Sequence, residues 1–576
     1  MMGSASASSF LKAKRQVVEG APVRYTHAVG FFPMISSLEL LESRIAPAVL
    51  LSHRVVLYSD VDGDTVTVTF SKPILTAATF ASGLTFVDSP ARADGSIPQT
   101  LAKISLVDMA VESGGLALDI SVDAVPSLLH GGNGHVNVGA IDALTCGSSH
   151  NVDLGVVRVR GDLGAIEAGD FDLDTPGLRV LVADSFGVAS PGVKSEVIGP
   201  VNAIKVGGDF LGYFQQTGRK TMVIGSVEIG GALGVAHGVA NAGRIEVPGS
   251  IGTLRVGGGI IGGDGTSSGV VKVGFDIGTM ELGGSLAGGS GDSSAQILVG
   301  RNLGTVGGVA IHGSVVGGSG FSNAYISVSK FLGETSLDGS LVGGSGVVSA
   351  TISAGAGSGD IHIGGSIMGG SGQFTAYLSV ATRDYLGATI SVAGSIVGGA
   401  GEGSGEVVLG NADSIIVGGD LLGGSAPFSG TIVGNVINSV LIAGNVIGTP
   451  DAGDPSKTFA SATIWSTRQS IESVFIGGDF RNGNIIAAVN PPTTNGWGTP
   501  VSLGRDTDIN PDVINRIGNI VIRGTASSTS GHFGIEANEI GRLVVNGVGY
   551  LHDDPRTPFD TGFFLDAAHT ILVREI

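Results

Sequence analysis

One short phrase, Gly-Ser-apolar-apolar-Gly-Gly-Ser-Gly, returns through the middle of the chain. Complete or related copies begin at Gly258, Gly284, Gly313, Gly339, Gly365, Gly394, Gly419 and Gly444. Successive copies are separated by 26, 29, 26, 26, 29, 25 and 25 residues. A period of this size is typical of architectures in which successive coils stack on one another.

The composition shows that these repeats can build a core. Glycine supplies 99 of the 576 residues and charged residues only 14%, but 42% of the residues are hydrophobic. Glycine-rich disordered chains lack such apolar residues. The glycines therefore mark tight corners, where φ is positive or backbones approach closely.

A coil of about 26 residues accommodates two or three short strands joined by tight corners. Stacking such coils produces parallel sheets, so the predicted fold is all-β, a parallel β-helix or β-solenoid with a small N-terminal β-module. A β-propeller is disfavoured, because its blades are longer and carry aromatic marks, whereas aromatic residues make up 5% of this chain.

Several classes of function are disfavoured by charge and residue usage. The net charge of −19 argues against a nucleic-acid partner, which needs clustered Lys and Arg. The single cysteine, Cys146, excludes an intrachain disulfide framework and a Cys-rich zinc site. No window approaches about 18 consecutive apolar residues, so no membrane span is predicted.

Changes in pattern divide the chain. Loops rich in Pro, Asn, Thr and Asp interrupt the repeats near residues 450–457 and 489–512, where we expect insertions. The predicted segments are a flexible or processed leader (1–40), an N-terminal β-module or cap (41–131), the β-solenoid (132–547) and a C-terminal cap with one last strand (548–576).

The N-terminal module shows strand-like alternation. Val66, Val68 and Phe70 share one parity and the intervening threonines the other, as in a half-buried strand. Three further short strands are predicted near residues 85–87, 104–107 and 116–120. Such a module would cover the otherwise unpaired strand edges at the end of a solenoid.

The segment Leu41-Glu42-Ser43-Arg44-Ile45-Ala46-Pro47-Ala48 resembles the LE-x-R-I-A-P-A stretch near the start of large predicted surface or exported proteins of planctomycete and verrucomicrobial bacteria. Many of those proteins continue into Gly-rich repeats. The resemblance covers about eight residues and the repeat style, and it implies a secreted or envelope protein.

Asp60, Asp62 and Asp64 place three carboxylates within five residues, in Asp-Val-Asp-Gly-Asp. Carboxylate oxygens at this spacing suit calcium. An EF-hand loop would end in a bidentate Glu, where this chain has Phe70 and Ser71. Because Asp-Gly also favours hairpin turns, we favour a simple turn and keep calcium as the alternative; no other cofactor is expected.

Two other features suggest sites less directly. The Gly-Gly-Ser-Gly corners resemble those of calcium-binding β-rolls, but the aspartate which that motif requires is missing. Asp170, Asp172 and Asp174 alternate along the chain, which predicts three carboxylates on one solvent face of a strand. A solvated face is the simple interpretation, and a carbohydrate or metal site is the alternative.

The function predicted from this pattern is a non-enzymatic, extracellular or cell-surface protein with a structural or adhesive role. Its expected partners are carbohydrates or cell-envelope components. The charged residues between 258 and 448 are scattered, and no catalytic motif appears. The rival hypothesis is a polysaccharide lyase or hydrolase on a parallel β-helix, working near Asp170–Asp174 or after Pro450.

The repeat also predicts which side chains are inside. The first apolar position of each phrase always holds a large residue, such as Leu286 or Leu341, whereas the second admits Ala287. Counting by twos from Leu286 reaches Met280 and places Glu281 on the opposite face. We therefore expect Leu341 and its equivalents to stack inside, with Ser340 and Val342 outside that ladder.

Overall fold

The computed structural model describes residues 48–107, 109, 117–144, 151–381, 388–449, 461–487, 516–529, 533–551, 563–565 and 571–575. All of them belong to one compact unit, Ile45–Ile576. The predicted leader, Cys146 and the predicted insertions at 450–457 and 489–512 lie outside the described residues, as does most of the segment that carries the family resemblance.

The N-terminal module is a small, largely antiparallel sheet with one short helix. The strand β3 alternates between buried and accessible residues, with Val66, Val68 and Phe70 inside, as predicted. Thr76 caps the helix through a reciprocal capping box with Thr79. The elements are β1 (Val49–Ser52), β2 (Val55–Ser59), β3 (Asp64–Phe70), α1 (Ala77–Gly83), β4 (Leu84–Asp88), β5 (Gln99–Ser105) and β6 (Leu118–Pro126).

The module and the solenoid share one sheet. Within the module, β2 pairs with β3 and β3 with β6 in antiparallel fashion. Parallel pairing then begins with β7 (Val138–Asp142), which lies beside β5, and β8 (Leu154–Ala168), which lies beside β6. The module therefore supplies hydrogen-bonding edges to the first parallel strands.

The solenoid has about 14 turns of about 26 residues, and the whole protein is nearly all β, with 2% helix. Its first half continues with β9 (Leu178–Phe186), β10 (Lys194–Ile198), β11 (Val201–Val206), β12 (Tyr213–Thr217), β13 (Val223–Ile229), β14 (Leu233–Gly234), β15 (Arg244–Val247), β16 (Ser250–Val256), β17 (Ile260–Ile261), β18 (Val270–Val273), β19 (Ile277–Leu282), β20 (Leu286–Ala287), β21 (Gln296–Val299), β22 (Val309–Ile311), β23 (Val315–Val316), β24 (Tyr325–Val328), β25 (Phe331–Leu332), β26 (Thr335–Leu337) and β27 (Leu341–Val342). The predicted parallel β-helix is confirmed.

The same pattern runs through the second half. Its strands are β28 (Thr351–Ala354), β29 (Gly357–Ser358), β30 (Ile361–Ile363), β31 (Ile367–Met368), β32 (Tyr377–Val380), β33 (Thr389–Val392), β34 (Ile396–Val397), β35 (Glu406–Val417), β36 (Leu421–Leu422), β37 (Thr431–Ile442), β38 (Val446–Ile447), β39 (Thr463–Ser466), β40 (Ile471–Ile476), β41 (Phe480–Arg481), β42 (Asn484–Ala487), β43 (Arg516–Ile522), β44 (Ala526–Ser527), β45 (Phe533–Ala537), β46 (Glu539–Val545), β47 (Val548–Leu551), β48 (Phe563–Phe564) and β49 (Ile571–Glu575).

Each regular coil contributes to three rows of strands. Two rows carry strands of several residues, and the third consists of two-residue strands from β14 to β44 that form a separate 11-stranded sheet. The last strand, predicted near residue 571, is confirmed as β49, which runs parallel to β45. Near it, β47 pairs with β46 and β48 pairs with β49, both in antiparallel fashion. Antiparallel pairing thus closes part of the C-terminal end.

The predicted interior ladder is confirmed. The first apolar residue of each phrase lies in register with its equivalent in the next coil and is fully buried, whereas the second is half-buried or exposed. The buried column consists of Leu163, Phe186, Phe210, Leu233, Ile260, Leu286, Val315, Leu341, Ile367, Ile396, Leu421, Val446 and Phe480. Phe186 and Phe210 stack with ring centroids 4.6 Å apart.

The glycine pairs are explained by close approach between coils. A Cβ atom on Gly344 would overlap the carbonyl oxygen of Gly318 in the preceding coil, and one on Gly370 would overlap that of Gly344. In the same turn the residues with positive φ are Val348 (56°) and Ala350 (54°), and not the glycines of the pair. Glycine is therefore needed here for space, while non-glycine residues occupy the left-handed conformation.

A buried polar residue supports each of these corners. Ser349 is fully buried, and its Oγ accepts a hydrogen bond of 3.0 Å from the backbone N–H of Gly344, five residues earlier. In other coils an equivalent side-chain oxygen accepts the same hydrogen bond, at 2.6–3.1 Å, from the backbone N–H five residues earlier. These accepting residues are Ser268, Ser294, Asn323, Thr375, Ser404 and Ser429. These side chains satisfy backbone donors that the tight turn would otherwise leave unpaired.

A second polar ladder runs beside the apolar column. The Oγ of Ser340 accepts a 3.0 Å hydrogen bond from the backbone N–H of Ser366, its equivalent in the next coil. The accepting side chains are Ser285, Ser314, Ser340, Ser366, Ser395, Asp420, Asn445 and Asp479. The serine of the phrase therefore links coils to one another.

No helix in the described part of the chain is long and apolar enough to cross a membrane.

Candidate functional site

The three predicted acidic residues come together in the turn that joins β2 and β3. One carboxylate oxygen from each of Asp60, Asp62 and Asp64 lies within 4.8 Å of the others. Asp64 is completely buried and Asp60 nearly so, whereas Asp62 is exposed. The turn therefore presents one accessible and two sequestered carboxylates to the same point.

The turn interpretation also describes this segment correctly. The Oδ1 of Asp60 accepts hydrogen bonds from the backbone N–H groups of Gly63 (3.0 Å) and Asp64 (2.7 Å). Gly63 adopts a φ of 118°, which a side chain would strain. The sequence Asp-Gly thus makes the tight turn that its chemistry predicts, and this turn is what gathers the carboxylates.

Asp64 connects the turn to a distant loop. Its Oδ2 accepts hydrogen bonds from the backbone N–H groups of Asn133 (3.2 Å) and Gly134 (2.8 Å). This loop joins β6 to β7, where the module passes into the first parallel strands. A Cβ atom on Gly132 would overlap the Asp64 carboxylate, so glycine is required there for the close approach.

The surroundings of the three acids favour a proton or a cation. Burial raises the pKa of Asp60 to about 7, and its hydrogen bond with Asp62 adds to the shift. In the part of the chain that the structure describes, no Lys, Arg or His forms an ion pair with Asp60, Asp62 or Asp64. Two histidines of the loop between β6 and β7 pair elsewhere, His130 with Asp94 (3.3 Å) and His135 with Asp184 (2.7 Å).

The second acidic group behaves differently, and the expectation of a strand there is wrong. Asp170, Asp172 and Asp174 lie in a loop between β8 and β9. Each carboxylate is directed along the loop: Asp170 accepts from the N–H of Asp172 (2.7 Å), and Asp172 from that of Asp174 (3.1 Å). Arg219 forms an ion pair with Asp174 (2.9 Å). Local turn formation by Asx side chains outweighs strand alternation here.

A shallow groove of about 530 Å³ lies on the face formed by β12, β15, β18 and β21. Its acidic residue is Glu246, which accepts hydrogen bonds from Lys272 (2.7 Å), Tyr213 (2.9 Å) and Arg244 (3.1 Å). Burial alone would raise the pKa of Glu246, but these three donors outweigh it and lower the pKa to about 2. A carboxylate held ionised in this way is poorly suited to proton transfer near neutral pH.

The outer surface changes in character along the solenoid. One outward row lies on the strands from β8 to β46 and begins with charged residues, including the pairs Lys205–Glu228 (3.3 Å) and Arg255–Glu281 (3.1 Å). It continues with Ser336, His362 and Ser391 and then becomes apolar. In register order the row is Arg158, Val182, Lys205, Glu228, Arg255, Glu281, Ala310, Ser336, His362, Ser391, Ile416, Leu441, Phe475, Val521 and Val544.

The neighbouring strand row repeats this change. Its positions are mostly charged from Glu167 to Lys272, serine from Ser327 to Ser379, and apolar from Val408 onward. In register order they are Glu167, Glu196, Gln215, Glu246, Lys272, Leu298, Ser327, Ser353, Ser379, Val408, Val433, Trp465 and Ile486. Ile486 is buried, with Trp465 packed against it, so the second row stays accessible only as far as Trp465. We call the apolar residues at the ends of the two rows the apolar outer rows: they are Ile416, Leu441, Phe475, Val521 and Val544 in the first row, and Val408, Val433 and Trp465 in the second. Ile416 (38%) and Leu441 (39%) are the most exposed members of the first.

Sequence reasoning missed these rows. It found scattered charges after residue 258, but the charged half of the first row lies mostly before that point, at Lys205, Glu228 and Arg255. The signal in the sequence is position x of the recurring segment apolar-x-apolar-Gly. This position holds Glu228 in Val227-Glu228-Ile229-Gly230 and Arg255 in Leu254-Arg255-Val256-Gly257. Aligning the coils on that segment would have shown the change from charged to apolar.

Comparison with known proteins gives no match: no family model, no curated protein and no solved structure is similar to this chain.

Proposed function

We propose that the chain is a non-enzymatic, exported or cell-surface protein with a structural or adhesive role, in which the solenoid binds carbohydrate or other cell-envelope components. The observation that carries this proposal is the pair of apolar outer rows, repeated coil after coil on adjacent faces. Ile416 and Leu441 are exposed in these rows and most other members are half-buried, and accessible apolar surface that continues over several coils marks interaction sites. Its side chains follow the strand spacing of roughly 4.8 Å, which suits an extended partner.

The acidic groups give less support to the rival hypothesis of a carbohydrate-active enzyme. Glycosidases need two carboxyl groups that face each other across a bond and titrate in different ranges. The carboxylates of Asp170 and Asp172 instead cap their own loop, and Glu246 is engaged by three donors. These are structural roles, and they favour a binding protein over a hydrolase or lyase.

Incubation of the purified protein with a panel of acidic and neutral polysaccharides tests this choice. We expect unchanged polymer length by size-exclusion chromatography after prolonged incubation, because Asp170, Asp172 and Glu246 are engaged in structural hydrogen bonds and are poorly placed for acid–base catalysis. Co-sedimentation with insoluble members of the panel would measure binding in the same samples. Reproducible cleavage that Asp172→Asn abolishes would contradict the proposal and establish the enzyme.

A further inference from the structure

We propose that Asp60, Asp62 and Asp64 bind one calcium ion, which fastens the β2–β3 turn of the N-terminal module to the loop that leads into the solenoid. This site is independent of the partner that the outer rows bind. The geometry is the first support: three carboxylates meet within 4.8 Å, and like charges at that separation repel one another unless a cation or proton lies between them.

Asp64 has a buried carboxylate oxygen that lacks a hydrogen-bond partner, and this is the second support for a bound ion. Its side chain is completely buried, and its Oδ2 is used by the 133–134 backbone, but its Oδ1 has no hydrogen-bond partner among the residues that the structure describes. An unpaired buried carboxylate oxygen is costly. A bound cation would remove that cost directly.

A second unpaired group lies in the same place. The side chain of Tyr58 is only 4% exposed, and its hydroxyl has no hydrogen-bond partner in the described chain. Tyr58, Asp60, Asp62, Asn133 and His135 line one cavity of about 290 Å³, with Asp64 buried next to it. A cavity of this size holds a hydrated ion, whose water molecules would accept a hydrogen bond from the Tyr58 hydroxyl and complete the coordination.

The 170–174 loop shows that spacing alone does not make such a site. Asp170, Asp172 and Asp174 have the same i, i+2, i+4 spacing as the three site residues. Their carboxylates, however, serve successive backbone N–H groups and Arg219. The cluster at Asp60–Asp64 differs because the loop at Asn133 and Gly134 closes over it and, among the described residues, no ion pair neutralises it.

The ligand atoms favour calcium over other metals. Carboxylate oxygens are hard ligands, and the cluster contains no histidine or cysteine, which zinc prefers. Because one of the three carboxylates is accessible, several waters would complete the coordination shell of the ion. Such a shell is irregular, and calcium tolerates irregular coordination whereas magnesium does not. In place of the terminal Glu of an EF-hand, the 133–134 backbone fixes Asp64 by two hydrogen bonds.

The consequence is a metal-dependent junction. Asp64 already links the turn to the 133–134 loop, and Arg92 holds the turn through the carbonyl oxygens of Asp60 (2.8 Å) and Val61 (3.2 Å). A calcium ion on the carboxylates would bind the folded arrangement and not the unfolded chain, so it would raise the stability by mass action.

Isothermal titration of the EDTA-dialysed full-length protein with calcium chloride tests the site. We expect one calcium ion per chain, a rise in Tm with calcium by circular dichroism, and binding of magnesium at least about ten-fold weaker. Asp62→Asn, at an exposed position, should weaken calcium binding by at least about ten-fold, and its calcium-free Tm should be no lower than that of the unmodified chain, because the variant has one negative charge fewer in the cluster. Asp64→Asn should also weaken calcium binding, but it exchanges a buried carboxylate oxygen for an NH2 group beside the 133–134 backbone, so Asp62→Asn is the cleaner variant.

Asp172→Asn is the matched control, since it makes the same change in the acidic loop of equal spacing, and it should bind calcium like the unmodified chain. Three outcomes would overturn the proposal: no binding heat and no shift in Tm with millimolar calcium, calcium affinity of Asp62→Asn equal to that of the unmodified chain, or equal losses in Asp62→Asn and Asp172→Asn. Magnesium affinity equal to calcium affinity would overturn the choice of metal.

Discussion

Replacing Leu341 by alanine should lower the free energy of unfolding by about 2–5 kcal/mol, as buried large-to-small changes do. Leu341 is fully buried, and it lies between Val315 and Ile367 in the interior column. Both neighbours are held in register by the parallel strands, so they are poorly placed to fill the cavity. Urea unfolding followed by far-UV circular dichroism measures the difference.

Val342→Ala is the matched comparison, one residue further along the same two-residue strand. Val342 is half-buried and directed outward, so its truncation should cost only about 1 kcal/mol. An effect of Val342→Ala equal to or larger than that of Leu341→Ala would show that the parity of the repeat is reversed beyond Gly339.

A single methyl group at Gly344 should destabilise the solenoid by about 1–3 kcal/mol or more, as overpacking does. The Cβ atom of Gly344→Ala would overlap the carbonyl oxygen of Gly318, and backbone atoms cannot rotate away. Relief would require the two coils to separate locally, which would lengthen their hydrogen bonds. Thermal and urea unfolding of the variant measure the cost.

Gly549→Ala controls for the change of residue type. Gly549 lies in β47, and no atom of the described residues lies within 4 Å of a Cβ atom built there. We expect this variant to unfold like the unmodified chain. If Gly344→Ala were equally harmless, close contact between coils would not explain the repeated glycine pair.

The repeat made the fold predictable, because two periodicities act together. The return of Gly-Ser-apolar-apolar sets the coil length, and the strand period of two decides which apolar residue is inside. Leu286 and Leu341 were assigned to the interior on those grounds alone, and both are fully buried. A one-residue shift of register would turn that position outward in every coil.

The corners were only partly predictable. Glycine was expected wherever the backbone turned sharply, but the left-handed positions at Val348 and Ala350 carry side chains. Their conformations are imposed by stacking on the equivalent turns of neighbouring coils, including Phe374 (53°) and Ala376 (50°). Local preference disfavours these conformations, so only the assembled stack explains them.

The candidate sites depend on contacts that are distant in sequence. The sequence predicts the cluster of Asp60, Asp62 and Asp64 because these residues are close together in the chain. The hydrogen bond from Gly134 to Asp64, which covers the cluster, joins residues that are 70 positions apart. The apolar outer rows required the register of coils with unequal lengths, such as the 34-residue step between Leu441 and Phe475. In both cases tertiary pairing supplies what local pattern cannot.

The most direct test of the proposed role is fractionation of cells that make the native protein, with N-terminal sequencing of the mature chain and protease treatment of intact cells. We expect the protein in the envelope or the medium, accessible to protease, and a mature N-terminus that reports any removal of residues 1–40. Recovery only from the cytosol, with residues 1–40 intact and full protection from external protease, would contradict the account.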